Sequence, residues 1–250
     1  MLSKAKIKEV RSLEHKKFRD EKGLFVAEGN KLVAHLLKHF EFEWLIALPQ
    51  WIATQEKIFA KEVIIAQDDE IRKASFLKTP QEVLAVFRKP CHAIEEANPA
   101  TQLILMLDGV QDPGNLGTII RIAGWFGIAH IVCSHDTTDA FSPKTVQATM
   151  GALTQVKVHY THLDAFLRSH SSAPVYGTFM DGDSVYQSNL SLQGIIVMGN
   201  EGNGIRPETE ALITKRLSIP PYPSDAHTTG SLNVAAATAI VCSEFRKRVF

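Results

Sequence analysis

The first hundred residues alternate short apolar runs with stretches in which apolar residues recur at helical spacing. Such alternation predicts a small α/β domain. The predicted strands lie at 23–28, 43–48, 63–66 and 83–87, and the predicted helices at 29–40 and 51–60. Residues 88–101 then turn polar and contain two prolines, which is typical of a linker. We therefore predict a domain at 1–90 and a linker at 91–100.

From residue 101 to residue 250, apolar strand patterns alternate with helical patterns. This rhythm predicts a second α/β domain with a mostly parallel sheet that helices cover on both faces. The predicted strands lie at 103–107, 130–133, 155–160, 175–179, 194–198 and 217–219. The predicted helices lie at 113–127, 143–150, 163–169, 207–215 and 232–248, and Ser231 is the expected cap of the last one.

The strand predicted at 194–198 ends in a loop with three glycines and one acid, Gly199-Asn-Glu-Gly-Asn-Gly204. Glycines allow backbone dihedrals that are closed to other residues, or let a ligand approach the backbone. We interpret the stretch as a ligand-binding loop, with an ordinary turn as the alternative.

A second glycine-bearing loop follows the strand predicted at 103–107. There Asp112 suits the N-cap of a helix and Pro113 its first position. Arg121 stands among apolar residues of that helix, six positions after Asn115. Both polar groups could serve a ligand at the carboxyl end of the sheet, where open α/β sheets bind ligands. A surface salt bridge is the alternative for Arg121.

Composition and charge narrow the function classes. Lys and Arg together number 27, as do Asp and Glu, which argues against nucleic-acid binding through bulk charge but not against a local basic patch. Its three cysteines lie far apart, which argues against a disulfide framework or zinc cluster and favours a reducing cytoplasm. We expect neither a secretion signal nor a membrane span, since the start lacks an apolar core segment.

Basic residues concentrate between residues 3 and 22, where eight lysines and arginines face four acids. Their spacing places them on the outer faces of one or two short helices. Lys16, Lys17 and Arg19 are our candidates for phosphate contacts. A solvated helix face is the alternative.

Three sequence blocks stand in order: Asn115-Leu-Gly-Thr-Ile-Ile-Arg121, Val197-Met-Gly-Asn-Glu-Gly-Asn-Gly-Ile205, and Ile219-Pro220 followed by Ser231-Leu-Asn-Val-Ala235. They resemble the three motifs of the SpoU, or TrmH, family of RNA 2′-O-ribose methyltransferases. The stretch Gly23-Leu-Phe-Val-Ala-Glu-Gly29 with Lys31 is similar to the RNA substrate-binding domain of many members. That resemblance adds Lys31 to the RNA contacts and makes 1–90 the substrate-binding domain and 101–250 the methyltransferase domain.

The resemblance implies a SPOUT-like fold whose C-terminal segment forms a trefoil knot, and a homodimer that uses S-adenosylmethionine without a metal. It assigns the chemistry to Arg121, Asn115, Glu201, Ser231 and Asn233. It assigns the cofactor contacts to Thr178, Gly199, Asn200, Gly202, Ile219 and Leu232. Because a guanidinium is a poor base, we expect Arg121 to orient the nucleotide and stabilise alkoxide charge. Glu201 is expected to pair with Arg121 or with a loop amide.

The third block departs from the family pattern. The loop between Pro220 and Ser231 is longer than usual, and Gly230 stands where an acid is often found. His227, Thr228 and Thr229 are candidates to compensate. The expected substrate is structured RNA, either ribosomal or transfer RNA, with ribosomal RNA favoured. A catalytically inactive RNA-binding dimer is the first alternative; a dinucleotide enzyme ranks last because its first strand is not followed by Gly-x-Gly-x-x-Gly.

Overall fold

A computed structural model describes residues 2–55, 62–223 and 230–247 of the 250-residue chain. Its residues pack into two compact units. Unit 1 comprises Met1–Cys91 together with Asp139–Thr154, and unit 2 comprises His92–Thr138 together with Gln155–Phe250. Residues 139–154, which fall inside the sequence range predicted for the second domain, therefore pack with the first.

Unit 1 is built on a mixed sheet of four strands in the order β1-β4-β2-β3. The strands are β1 Leu24–Glu28, β2 Phe42–Ala47, β3 Val63–Ile65 and β4 Val83–Arg88. The helices are α1 Lys4–Ser12, α2 Lys16–Lys22, α3 Asn30–Leu36, α4 Pro49–Ala53, α5 Asp68–Ala74 and α7 Pro143–Thr149. β4 pairs antiparallel with both β1 and β2, whereas β2 and β3 run parallel.

Burial explains the strands of unit 1. All five residues of β1 are buried, and the first five of β4 are as well. Phe25 of β1 lies 5.1 Å, between ring centroids, from Phe141, which belongs to the 139–154 stretch. That stretch thus contributes apolar surface to the core of unit 1, where buried apolar area is the main source of stability.

Unit 2 contains a parallel sheet of six strands in the order β10-β8-β9-β5-β6-β7. Its strands are β5 Leu103–Asp108, β6 His130–Cys133, β7 Lys157–Tyr160, β8 Val175–Ser184, β9 Gly194–Gly199 and β10 Lys215–Ser218. Its helices are α6 Pro113–Trp125, α8 Leu163–Ser169, α9 Pro207–Glu210 and α10 Val234–Arg246. The prediction of a mostly parallel sheet is confirmed, and the buried strands β5 and β9 are its central pair.

Three predicted elements of unit 2 need correction. The helix predicted at 207–215 ends at Glu210, because Lys215 already begins β10. Strand β8 continues to Ser184, five residues beyond the prediction, since its polar second half pairs with β10. The cap predicted at Ser231 is wrong: Asn233 caps α10, and its Oδ1 accepts from the backbone amides of Ala235 and Ala236.

Two expectations lie at the edge of the described chain. The predicted helix at 51–60 is observed up to Ala53, and residues 56–61 lie outside the described ranges. The trefoil knot stays a prediction.

No helix within the described ranges combines the length and apolar character needed to cross a membrane.

Candidate functional site

A cavity of about 870 Å³ opens at the carboxyl ends of β8, β9 and β10. This edge is where open parallel sheets bind ligands. The six predicted cofactor contacts all line it: Thr178, Gly199, Asn200, Gly202, Ile219 and Leu232. Glu201 and Ser231 line it too, so one cavity brings together residues that are up to 54 positions apart in the chain.

Asn200 organises the glycine loop after β9. Its backbone exchanges hydrogen bonds with Gly204 in both directions, each 2.9 Å long. Its Oδ1 accepts from the amides of Gly202 and Asn203, and its Nδ2 donates to the carbonyl of Gly109 at 2.7 Å. A single side chain therefore closes the loop and ties it to the loop that follows β5.

The glycines of this loop are not equivalent. A Cβ on Gly199 would lie 2.6 Å from the amide nitrogen of Ile205, which is far inside van der Waals contact. Gly204 has a φ of +68°, in the left-handed region that favours glycine. A Cβ on Gly202 would meet one atom at the ordinary distance of 3.5 Å. The loop thus needs glycine at 199 and 204 and tolerates a side chain at 202.

Three of the predicted catalytic residues form one hydrogen-bonded chain. Asn115 Nδ2 donates to Glu201 Oε1 at 2.6 Å, and Asn233 Nδ2 donates to Asn115 Oδ1 at 3.0 Å. Asp112, whose carboxylate accepts from the amide of Asn115 at 2.9 Å, caps α6 as predicted. The three sequence blocks therefore meet through their polar side chains, and the ends of α6 and α10 are fixed by the same contacts.

Arg121 lies outside this chain of hydrogen bonds. Six residues of α6 correspond to about 9 Å of rise and about 240° of rotation, so Arg121 and Asn115 leave the helix on different sides. Its side chain is exposed and makes no hydrogen bond or ion pair with any described residue. Glu201 pairs with Asn115, not with Arg121 as one of our alternatives held. The surface salt bridge considered for Arg121 is likewise not observed among the described residues.

A buried carboxylate fastens the far end of the glycine loop. Asp108, the last residue of β5, has a fully buried side chain that accepts from the backbone amide of Arg206 at 3.0 Å and from its Nε at 2.6 Å. Hydrogen bonding to Asp108 raises the pKa of Arg206 further above its already high value. This pair was not predicted from the sequence, although Asp108 directly follows the apolar run at 103–107 and was in that respect a usable signal.

The predicted RNA contacts divide into two groups. Lys16, Lys17 and Lys31 are exposed. Arg19 is 2% exposed, and its Nε and Nη2 donate to one oxygen of Asp139 at 2.8 and 2.6 Å. Its Nη1 donates to the carbonyls of Leu13 and Glu14. With its donors occupied inside unit 1, Arg19 is placed as a packing residue, not as a phosphate contact.

Other residues that line the cavity were not anticipated. Met180 and Tyr222 are 68% and 98% exposed at its margin, and Met180 and Asp181 lie on the part of β8 that the prediction omitted. A correct end for β8 would have placed them at the same sheet edge. His227, Thr228 and Thr229, named as compensating residues, lie outside the described ranges.

Two known protein families match parts of this chain. The SpoU rRNA Methylase family matches residues 102–243, more than half of the sequence. The chain belongs to this SpoU family. The MRM3-like substrate binding domain matches residues 4–85, which lie in unit 1. Both resemblances stated from the motifs are thereby confirmed.

Individual relatives of this SpoU family member cover nearly the whole chain. The 23S rRNA (guanosine(2553)-2′-O)-methyltransferase RlmP of Bacillus subtilis is 30% identical, over 96% of each sequence. A proposed RNA methyltransferase of the TrmH family from Porphyromonas gingivalis has a structure 41% identical in sequence, with a TM-score of 0.89 and 99% coverage of both chains. An AdoMet-bound rRNA methyltransferase from Sinorhizobium meliloti is 29% identical, with a TM-score of 0.86 over 100% of this chain and 97% of that one. These likenesses confirm the SPOUT-like fold class.

Proposed function

We propose that this chain transfers a methyl group from S-adenosylmethionine to a ribose 2′-hydroxyl in ribosomal RNA. The observation that carries the proposal is the Glu201–Asn115–Asn233 chain of hydrogen bonds beside the large cavity, because it joins one polar residue from each SpoU motif. The Bacillus relative, named for a 23S rRNA guanosine, supports ribosomal over transfer RNA. The catalytically inactive alternative has no support.

The cavity fits the proposed cofactor in size and lining. Its 870 Å³ falls in the usual range for ligands larger than a nucleoside. Glycine at 199 lets the loop close tightly against the backbone of Ile205, and Gly199 itself lines the cavity. Thr178, Ile219 and Leu232 would supply the remaining wall. S-adenosylmethionine, when bound, supplies an electrophilic methyl on a sulfonium.

The protein's own side chains would position the ribose hydroxyl and stabilise the negative charge that develops on it. An in-line approach of a hydroxyl oxygen at about 3 to 3.5 Å can lower a barrier by several kcal/mol through orientation alone. Asn115 and Glu201 would hold the loop at this geometry, and Asn233 keeps the start of α10 in register with them. Arg121, exposed and without a partner among the described residues, would meet the ribose and stabilise its developing alkoxide.

Replacing Gly199 should disrupt cofactor binding. We expect Gly199→Ala to weaken S-adenosylmethionine binding at least tenfold, because the new Cβ forces the loop away from Ile205. Isothermal titration calorimetry would measure this. Gly202→Ala is the comparison within the same loop: Gly202 also lines the cavity, but its Cβ would meet only one atom at an ordinary distance, so the loss of affinity should be clearly smaller than for Gly199→Ala. Equal affinities for the two variants would contradict the assigned loop role.

Unit 1 would hold the RNA through Lys16, Lys17 and Lys31, which makes residues 1–90 the substrate-binding domain of the proposal. Lys16 and Lys17 begin α2 and Lys31 lies in the first turn of α3. All three side chains are exposed to solvent. Lysines of this kind bind phosphates by releasing counterions, largely independent of sequence. Target choice would then rest on other surfaces.

Replacing these three lysines should flatten the salt dependence of RNA binding. We expect the triple change Lys16→Ala, Lys17→Ala and Lys31→Ala to lower the slope of log K against log salt by about 2, at about 0.7 per contact. Filter binding at four salt concentrations would measure it. Lys4, Arg72 and Lys78, also exposed, provide a charge-matched control. Identical slopes for the two triple variants would indicate that these lysines only face solvent and do not contact RNA phosphates.

We further propose a homodimer in the cytoplasm. The dimer follows from the family resemblance. The location is supported by the nature of the proposed substrate and by the cysteines, since Cys91, Cys133 and Cys242 are all free. Burial raises the pKa of the Cys242 thiol to about 12, so this group is unreactive. Among the described residues, no group of three or more metal ligands was found, and no metal enters the proposal.

The proposed function is tested by transfer of labelled methyl groups from S-adenosylmethionine to unmodified ribosomal and transfer RNA pools. We expect label in the ribosomal pool, at a 2′-O-methyl position that survives alkaline hydrolysis. Label at a base, or label in transfer RNA alone, would overturn the proposal. Cofactor binding without transfer to either pool would favour the inactive alternative.

A further inference from the structure

Unit 2 has a second cavity, of about 330 Å³, at the carboxyl ends of β6 and β7. Its walls come from Ser134–Asp136 after β6, from Thr161–Asp164 after β7, and from Arg206, Glu208 and Thr209. Ile205 lines the large cavity and Arg206 lines this one, so the glycine loop separates the two. The proposed methyl transfer assigns this second cavity no role.

Arg206 is held rigidly on one side of the cavity. Its Nε and backbone amide bind the buried Asp108, and its Nη2 donates to Asp136 Oδ1 at 3.2 Å. Its Nη1 has no hydrogen-bond partner in the part of the chain that the structure describes. The guanidinium is thus oriented in advance and keeps free donors.

Asp136 supplies acceptors next to these donors. Its side chain is 50% exposed, and hydrogen bonding from Ser134 together with the charge of Arg206 lowers the pKa of its carboxyl. The carboxylate therefore stays ionised and can accept further hydrogen bonds. The rings of His135 and His162 line the same cavity, with centroids 4.8 Å apart and planes at 75° to each other. An acceptor, a donor and two flat rings thus share one small space.

The charge and size of this cavity exclude several ligand classes. Asp136, Asp164 and Glu208 outnumber the single guanidinium, so a phosphate would be repelled. No set of metal ligands is found among the described residues, so this cavity offers no metal-ion site. The volume suits one nucleobase and is too small for a dinucleotide. A neutral ring with N–H donors beside a carbonyl acceptor fits best.

We propose that this cavity binds one unstacked guanine of the substrate RNA. Asp136 accepts from the N1 and N2 hydrogens of the base, Arg206 donates to O6, and the two nearly perpendicular imidazoles contact the face and the edge of the ring. Specific RNA recognition commonly reads such splayed bases on this edge. The inference rests on the proposed function, because that function makes RNA the substrate. The phosphates of the RNA would stay in solvent, outside the acidic side chains of the cavity.

The test uses the full chain with labelled histidines and three RNA trinucleotides, UGU, UAU and UIU, in which inosine lacks the 2-amino group. We expect UGU to shift the imidazole NMR signals of His135 and His162 and to bind about tenfold more tightly than UIU, because a hydrogen bond to a charged group is lost. UAU should bind more weakly still. In Asp136→Asn, UGU and UIU should bind equally.

Asp164→Asn is the matched control, since it removes a charge from the same cavity but should keep the preference for UGU. The inference is overturned if the parent binds UGU and UIU equally, if the preference survives in Asp136→Asn, or if none of the trinucleotides shifts either histidine. Methyl transfer to ribosomal RNA is measured separately. Methyl transfer without shifts of the histidine NMR signals would refute the guanine site but leave the proposed function standing. Shifts of the histidine signals without methyl transfer would refute the proposed function but leave the guanine site standing.

Discussion

Arg121→Ala is expected to lower the rate of methyl transfer about 100- to 1,000-fold, the usual cost of losing one group that stabilises a developing oxyanion. Affinity for S-adenosylmethionine should stay within about threefold of the parent, because Arg121 does not line the cofactor cavity. Folding should be unaffected, since the side chain is exposed and makes no polar contact with described residues. Single-turnover kinetics with saturating RNA would separate this effect from RNA binding.

Arg168→Ala is the control for this change. Arg168 is also an exposed arginine on a helix of unit 2, and its loss should leave the rate unchanged. Arg121→Lys tests the geometry, because a lysine keeps the charge but loses the planar fork. If Arg121→Ala turned over at the parental rate, Arg121 would have no part in the mechanism.

Arg19→Met is expected to destabilise unit 1 by about 3 to 5 kcal/mol, as is typical when one partner of a buried ion pair is removed. The change leaves Asp139 charged and buried, and strands two backbone carbonyls that Arg19 now satisfies. Urea unfolding followed by tryptophan fluorescence would measure it. Trp51 is buried in unit 1 whereas Trp125 in unit 2 is 84% exposed, so the signal reports mainly on unit 1.

The double variant with Asp139→Asn should recover part of this loss. Asparagine removes the unpaired charge and keeps an oxygen for the amide of Phe141, which Asp139 now accepts at 3.0 Å. Lys73→Ala, which breaks the exposed pair with Asp69, is the control and should leave the midpoint unchanged. If the single variant Arg19→Met were as stable as the parent, the structural role of Arg19 would be contradicted. Its earlier interpretation as a contact to RNA phosphate would then have to be considered again.

The structural features that the sequence predicted best are those that depend on residues close together in the chain. The central strands follow from continuous apolar runs, and the start of α6 follows from Asp112 with Pro113. The cofactor candidates came from the motif resemblance, and the structure brings them to one cavity. The end of β8 escaped prediction because its polar residues pair with a strand more than thirty positions later.

Contacts distant in sequence account for the other differences. Arg19 reads as one more cation in a basic stretch, yet its partner lies 120 positions away. Ser231 is as good an N-cap by type as Asn233, and the choice depends on Asn233 also reaching Asn115. The second cavity is formed by three separate loops, none of which carries a recognisable motif.

The interleaving of the two units has a consequence for synthesis on the ribosome. The chain leaves unit 1 after Cys91 and returns to it between Asp139 and Thr154. Strands β5 and β6 of unit 2 are therefore made before unit 1 is complete. Until residues 139–141 have emerged, Arg19 lacks its carboxylate and Phe25 lacks the ring of Phe141. Domains usually fold in order from the N-terminus, but here the first unit must wait for a segment translated within the second.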